Sequence, residues 1–193
     1  MKVCGDLLLA GPPSVLAMSS GNFMIGEEGQ AVWRIYSAPI SARSLVKSKY
    51  IFIVFFSLII LVITGILGVF FFHPSLRTVI VALIEAVFLV FALGAISLSN
   101  GISGADFTEV PRSRMVRTTT AWLNIAACLL AGMAILAPFF PYMLTVFVPN
   151  LFSFFVDPYQ AVIISAIIAV MLTIIFYRVA LKNAKGLLAK AEV

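Results

Sequence analysis

Four long apolar runs lie between residues 50 and 177, at 50–72, 78–99, 120 to about 147 and 159–177, and they constrain the fold more than any other feature of the chain. An α-helix needs roughly 20 apolar residues to cross about 30 Å of hydrocarbon, and a chain in lipid must satisfy its backbone polar groups internally. Each run therefore predicts a membrane-spanning helix. Glu85 is the one charged residue inside them. The expectation is an all-α polytopic membrane protein with a transmembrane domain over 26–193 and four spans, at about 50–72, 78–99, 120–140 and 159–177.

The cations set the orientation. Arg34, Arg43, Lys47 and Lys49 precede the first run, Arg112, Arg114 and Arg117 follow the second, and Arg178, Lys182, Lys185 and Lys190 make up the tail. The remaining gaps hold Arg77 with His73, and no Lys or Arg between 148 and 158. Short loops rich in Lys and Arg stay in the cytoplasm, so the alternation predicts that both termini are cytoplasmic in a multi-pass protein of the cell membrane.

Composition excludes several other classes. Hydrophobic residues make up 62% of the chain and charged residues 11%, whereas about a quarter of a soluble domain is charged. The net charge of +5 sits beside the spans, where it meets anionic lipid rather than nucleic acid. Cys4 and Cys128 are too few for a disulfide framework or a metal site, and Cys128 inside the third run acts as a small hydrophobe. His73 stands beside Pro74 with no second His or Cys to complete a ligand set, so it reads as a loop imidazole. No cofactor is implied.

Lys2, the apolar patch at 7–10 and the small residues near Ser19 imitate a signal peptide, but Gly11, Pro12 and Pro13 interrupt it. Cleavage would also place the cations from Arg34 to Lys49 outside. Residues 1–25 are expected to form an irregular segment, or the remnant of another span.

Glu27, Glu28 and Gly29 open a stretch in which Val32, Trp33, Ile35 and Tyr36 alternate with Gln30 and Arg34. That pattern predicts an amphipathic helix on the cytoplasmic membrane surface, stopped by Pro39. Ser41 is placed to cap a second helix that runs through Leu45 and Val46 into the first span. The connection at 73–77 is so short that the first two spans must form an antiparallel hairpin. Gly65, Gly68, Ala82, Ala86, Gly94, Ala95 and Ser97 mark candidate helix contacts, as do Ala126, Ala127, Ala131, Gly132 and Ala134 in the third run. Pro138 and Pro141 should break that third helix near its outer end. The Phe-rich stretch at 147–155, interrupted by Pro149 and Asn150, suits an interfacial or re-entrant segment on the outer side.

Nothing in the chain has the pattern of an enzyme. It lacks paired carboxylates in the spans, a His and Asp set around a nucleophile, the H-x-x-x-H spacing and the G-x-x-x-x-G-K-[ST] phosphate loop. Hydrolysis of ATP would need another subunit. Glu85 lies about 10 Å in from the outer end of its span by helical rise. Intramembrane acids are costly, and this one is either a lining residue of a translocation path or a carboxyl that anchors the bundle.

Two cytoplasmic segments carry a resemblance. Residues 28–41 read E-G-Q-A-V-W-R-I-Y-S-A-P-I-S and are followed by Leu45 and Lys49 just before a span. This resembles the region ahead of a membrane helix in bacterial and archaeal ABC exporter permeases, where a Glu-Gly pair, an aromatic-rich amphipathic turn and a Pro-aliphatic-Ser step lead into the span. Residues 104–112 read G-A-D-F-T-E-V-P-R and are similar to the inner loop of those permeases. The likeness runs from about Gly26 to the C-terminus.

The resemblance implies a separate cytoplasmic ABC ATPase that docks on Glu27, Glu28, Trp33, Arg34 and Pro39 and on Asp106, Phe107, Pro111 and Arg112, with Trp33 and Phe107 as apolar anchors. It implies outward movement of a hydrophobic or amphipathic substrate. Such permeases have six or more spans, so the chain looks like the C-terminal portion of one that needs a second permease polypeptide or a second copy of itself. The competing reading is a non-transporting four-helix scaffold or regulatory subunit of a larger complex, for which packing faces and basic ends suffice. An intramembrane enzyme is a third class, and it lacks the catalytic groups.

Overall fold

A computed structural model describes residues 2–24, 41–73, 75–105, 118–140 and 158–189. Its helices are α1 (Lys2–Phe23), α2 (Ala42–Phe72), α3 (Leu76–Gly104), α4 (Thr118–Leu136, continued by the 3-10 turn Ala137–Phe139) and α5 (Pro158–Ala189). No strand occurs among the described residues. Among the described residues, four helical segments are long and apolar enough to cross a membrane, at Ala42–Phe72, Val79–Gly104, Thr118–Phe139 and Tyr159–Leu188. The fold is an all-α polytopic membrane fold.

Local chemistry explains most of the boundaries. Ser41 is extended and its hydroxyl accepts the Ser44 N–H at 3.2 Å, which satisfies one of the orphan donors at the start of α2. α2 ends where His73 adopts φ 45° and donates its N–H to the Val69 carbonyl at 3.1 Å. In α4 the regular helix stops at Leu136 and tightens into a 3-10 turn that contains Pro138, as a residue without an N–H requires.

The irregular segment expected over 1–25 is instead the 22-residue helix α1. Pro12 and Pro13 withhold two N–H groups from its ladder, and local propensity alone would break it there. Packing overrides that preference: Pro13, Ala17, Gly21 and Asn22 are buried in the bundle, and α1 makes its most extensive contact with α3.

α3 is the centre of the bundle and packs against the other four described helices. Its hairpin with α2 is in register where the Tyr50 hydroxyl donates to the Phe91 carbonyl at 3.0 Å and an Ile53 methyl lies 3.4 Å from the Cβ position of Gly94. α4 runs antiparallel to α3, with Thr120 against Gly104 and Asn124 bonded to Asn100. α5 runs parallel to α3, from Ser165 beside Glu85 to Asn183 beside the Ser99 carbonyl.

These pairings segregate charge. Tyr50 and Tyr177 meet edge to face at 5.6 Å, which brings the cations Lys47 and Lys49 of α2 to the same end of the bundle as Arg178 and Lys182 of α5. At the other end the Arg77 guanidinium lies 4.9 Å over the Tyr159 ring. Between the two ends the outer surface is apolar, with Phe55, Phe70, Phe71, Trp122, Leu130 and Ile163 exposed. Water would disfavour so much contiguous hydrocarbon, and lipid does not.

The small residues divide. Gly65, Gly68, Ala86, Gly94, Ala95, Ser97 and Ala131 are buried, whereas Ala126 and Ala134 are exposed and nothing lies within 4 Å of a Cβ placed on Gly132.

Candidate functional site

The cytoplasmic candidates Glu27, Glu28, Trp33, Arg34, Pro39, Asp106, Phe107, Pro111 and Arg112 lie outside the described residues, as does the amphipathic helix expected around them. The described residues do include the helix ends from which both candidate segments emerge: the last turns of α1 and α3 and the first turns of α2 and α4.

The ends of α1, α3 and α4 are joined by a buried polar network. The Ser97 hydroxyl donates to the Met18 carbonyl. Asn124 donates to the same carbonyl and to Ser97 Oγ, both at 3.2 Å, and its Oδ1 accepts from Asn100 Nδ2 at 3.1 Å. The Cys128 thiol turns toward that oxygen at 3.6 Å, so it acts inside the network rather than as a plain hydrophobe. Asn22 Oδ1 is buried beside these groups in sequence and has no partner among the described residues. Every helix–helix bond in this set replaces one that hydrocarbon cannot supply.

Glycine lets the backbones come close. A Cβ on Gly21 would fall 2.7 Å from that of Ser97, and one on Gly104 would collide with the Thr120 side chain. The roots of the two cytoplasmic segments are thereby held against each other through α3.

No family model matches the chain, and neither a curated protein nor a solved structure is significantly similar to it.

Glu85, the intramembrane candidate, is buried between α3 and α5, with 5% of its surface exposed. Ser165 donates to its Oε1 at 2.5 Å, and its Oε2 has no partner among the described residues. Ser57, on α2, is likewise buried with an unpartnered hydroxyl. The carboxyl thus ties two parallel helices together in the outer half of the bundle. No cluster of three or more His, Cys, Asp or Glu that could hold a metal occurs among the described residues.

The sequence reading missed Asn124 and Asn100 and took Ser97 only as a small residue. The available signal was Asn124 itself, a carboxamide in the middle of an apolar run, which in lipid demands a partner. Ser165 carried no such signal, because a lone Ser in a span bonds its own helix as readily, as Thr173 does to the Ala169 carbonyl at 2.7 Å.

Proposed function

We propose that the chain is the transmembrane subunit of an ATP-driven ABC-type exporter of the cell membrane, coupling a separate cytoplasmic ATPase to outward movement of a hydrophobic or amphipathic substrate. The observation that carries this reading is the junction of helix ends: the segments at 28–41 and 104–112, which resemble those of exporter permeases, adjoin helices that are cross-linked by Ser97, Asn100 and Asn124 and contact through Gly21 and Gly104.

The mechanics follow from that junction. An ATPase seated on Trp33 and Phe107, with Glu27, Glu28, Arg34, Asp106 and Arg112 as charged contacts and Pro39 and Pro111 shaping the two segments, would pull on α1, α2, α3 and α4 together. Because α3 packs on every other described helix, its tilt is transmitted to the whole bundle, the rigid-body rocking on which alternating access depends. A second permease polypeptide or a second copy of the chain completes the pathway.

The test is copurification from native membranes. The reading expects an ATPase with a phosphate loop to accompany the protein, and Trp33→Ala or Phe107→Ala to release it. Recovery of the protein with no ATPase sinks the proposal.

The packing of Glu85 against Ser165 favours a second reading, a non-transporting scaffold or regulatory subunit, since this carboxyl serves helix association directly. Stimulation of the partner's ATPase by the reconstituted complex separates the two: an exporter subunit stimulates it in the presence of substrate, and a scaffold does not.

A further inference from the structure

We infer that α1 crosses the membrane beside α3 with its Lys2 end at the outer face and its Phe23 end at the cytoplasmic face. The inference holds under either proposed function.

Three levels along α1 fix its direction. At the inner end, Met18 faces Ser97, while the carbonyls of Gly21 and Asn22 stand 2.6 and 2.7 Å from the Cβ position of Gly101. Met18 and Gly21 meet Ser97 while Gly21 and Asn22 meet Gly101, so the contact advances toward the C-terminal ends of both helices, and the two point the same way. Higher up, Gly11, Pro12, Val15, Leu16 and Ser19 line a groove of about 580 Å³ together with Ile60 of α2. Ile60 lies seven residues outward of Ile53, the residue that meets Gly94, so the middle of α1 sits near the middle of α2. The remaining residues, 2–10, add about 14 Å of helix, roughly the other half of a hydrocarbon core.

The chemistry of α1 agrees. No charged residue occurs between Leu7 and Phe23, and Lys2 and Asp6 fall in its first two turns, at headgroup level in this placement. Its described exposed positions, Pro12 and Val15, are apolar, as contact with acyl chains requires. Ser19, in the groove, satisfies its hydroxyl on the Val15 and Leu16 carbonyls at 2.9 and 3.2 Å. A helix lying flat on the membrane would instead show water a polar face.

This placement keeps the basic residues Arg34, Arg43, Lys47 and Lys49 in the cytoplasm and changes only the side of the Lys2 end. The five described helices then all cross the bilayer, three running inward (α1, α3, α5) and two outward (α2, α4).

The experiment uses the full chain in sealed right-side-out vesicles, carrying one epitope tag ahead of Met1 and another after Val193. Added protease is expected to remove the first tag from sealed vesicles and the second only after permeabilisation. Protection of the first tag until permeabilisation overturns the inference. A tag-free readout uses Lys2→Cys in a chain carrying Cys4→Ser and Cys128→Ala: labelling by a membrane-impermeant maleimide before permeabilisation supports the placement, and labelling only afterwards overturns it.

Discussion

A Cβ built on Gly101 would lie 2.6 Å from the carbonyl oxygen of Gly21, so α1 and α3 touch backbone to backbone near the last turns of both helices. In lipid, where burial of apolar surface offers no preference between protein and solvent, such close approach is what holds helices together. The same contact holds the last turns of α1 and α3 against each other.

Enlarging Gly101 should therefore separate α1 from α3. The obstructing atoms are backbone, which cannot rotate away, so Gly101→Leu is expected to cost about 1–3 kcal/mol by overpacking. Gly132→Ala is the control, because nothing lies within 4 Å of the added methyl. Thermal unfolding in detergent should show a lower midpoint for the first variant and an unchanged or higher one for the second.

Local signals made much of this bundle legible in advance. The apolar runs, the Ser41 cap and the Pro138 break each depend on a few neighbouring residues and came out at or near the expected positions. α1 did not, because Pro12 and Pro13 read locally as breakers and the contacts that override them come from α3, some 79 positions away at Ser97. The pairing of Glu85 with Ser165, 80 positions apart, was invisible for the same reason: the acid could be seen, its partner could not. The docking residues from Glu27 to Pro39 and from Asp106 to Arg112 fall outside the described residues, so they rest on the resemblance alone.

Asn124 is the hub of the polar network, and its loss should be felt at three helices. Asn124→Leu strips donors from the Met18 carbonyl and Ser97 and an acceptor from Asn100. Interhelical hydrogen bonds in membranes are worth about 0.6 kcal/mol each, with a ceiling near ~1.7, so the expected loss is about 1–2 kcal/mol. A double-mutant cycle with Ser97→Ala should give a coupling energy above about 0.5 kcal/mol, and strict additivity would show that the two side chains do not act as one network.

Glu85 offers two separable outcomes. Glu85→Gln keeps an oxygen that accepts from Ser165 and removes the ionisable group, so stability should hold, whereas Ser165→Ala leaves Oε1 unpaired in the bundle and should cost about 1 kcal/mol. If Glu85 also lines a translocation path, Glu85→Gln changes transport or its pH dependence while the unfolding midpoint stays put. Unchanged transport across pH confines the residue to a structural role.

His73 is the one non-glycine residue with positive φ among the described residues. Left-handed backbone costs an L-residue roughly 1–2 kcal/mol, and glycine adopts it without that penalty. His73→Gly should therefore raise stability by about 0.5–1 kcal/mol even after the greater flexibility of the unfolded chain is counted, while His73→Val, β-branched and intolerant of this conformation, should lower it. Opposite shifts in the unfolding midpoint of the two variants are the expected observation, and parallel shifts would place the origin of the effect in the imidazole.

Topology provides the last and broadest prediction. Asn183 of α5 reaches the Ser99 carbonyl near the end of α3 at 3.5 Å, and Tyr177 meets Tyr50 near the start of α2, so the basic ends of α2 and α5 and the C-terminal end of α3 belong to one face of the bundle. Arg114 follows α3 by a short connection and must share that face with Lys185. Single cysteines, Arg114→Cys and Lys185→Cys, in a chain carrying Cys4→Ser and Cys128→Ala, should both react with an impermeant maleimide in inside-out vesicles and resist it in right-side-out ones. Arg77→Cys, at the end where Arg77 covers Tyr159, should show the reverse. Labelling of Arg114→Cys and Lys185→Cys from opposite sides would break the hairpin arrangement, and with it the common cytoplasmic surface on which an ATPase could dock.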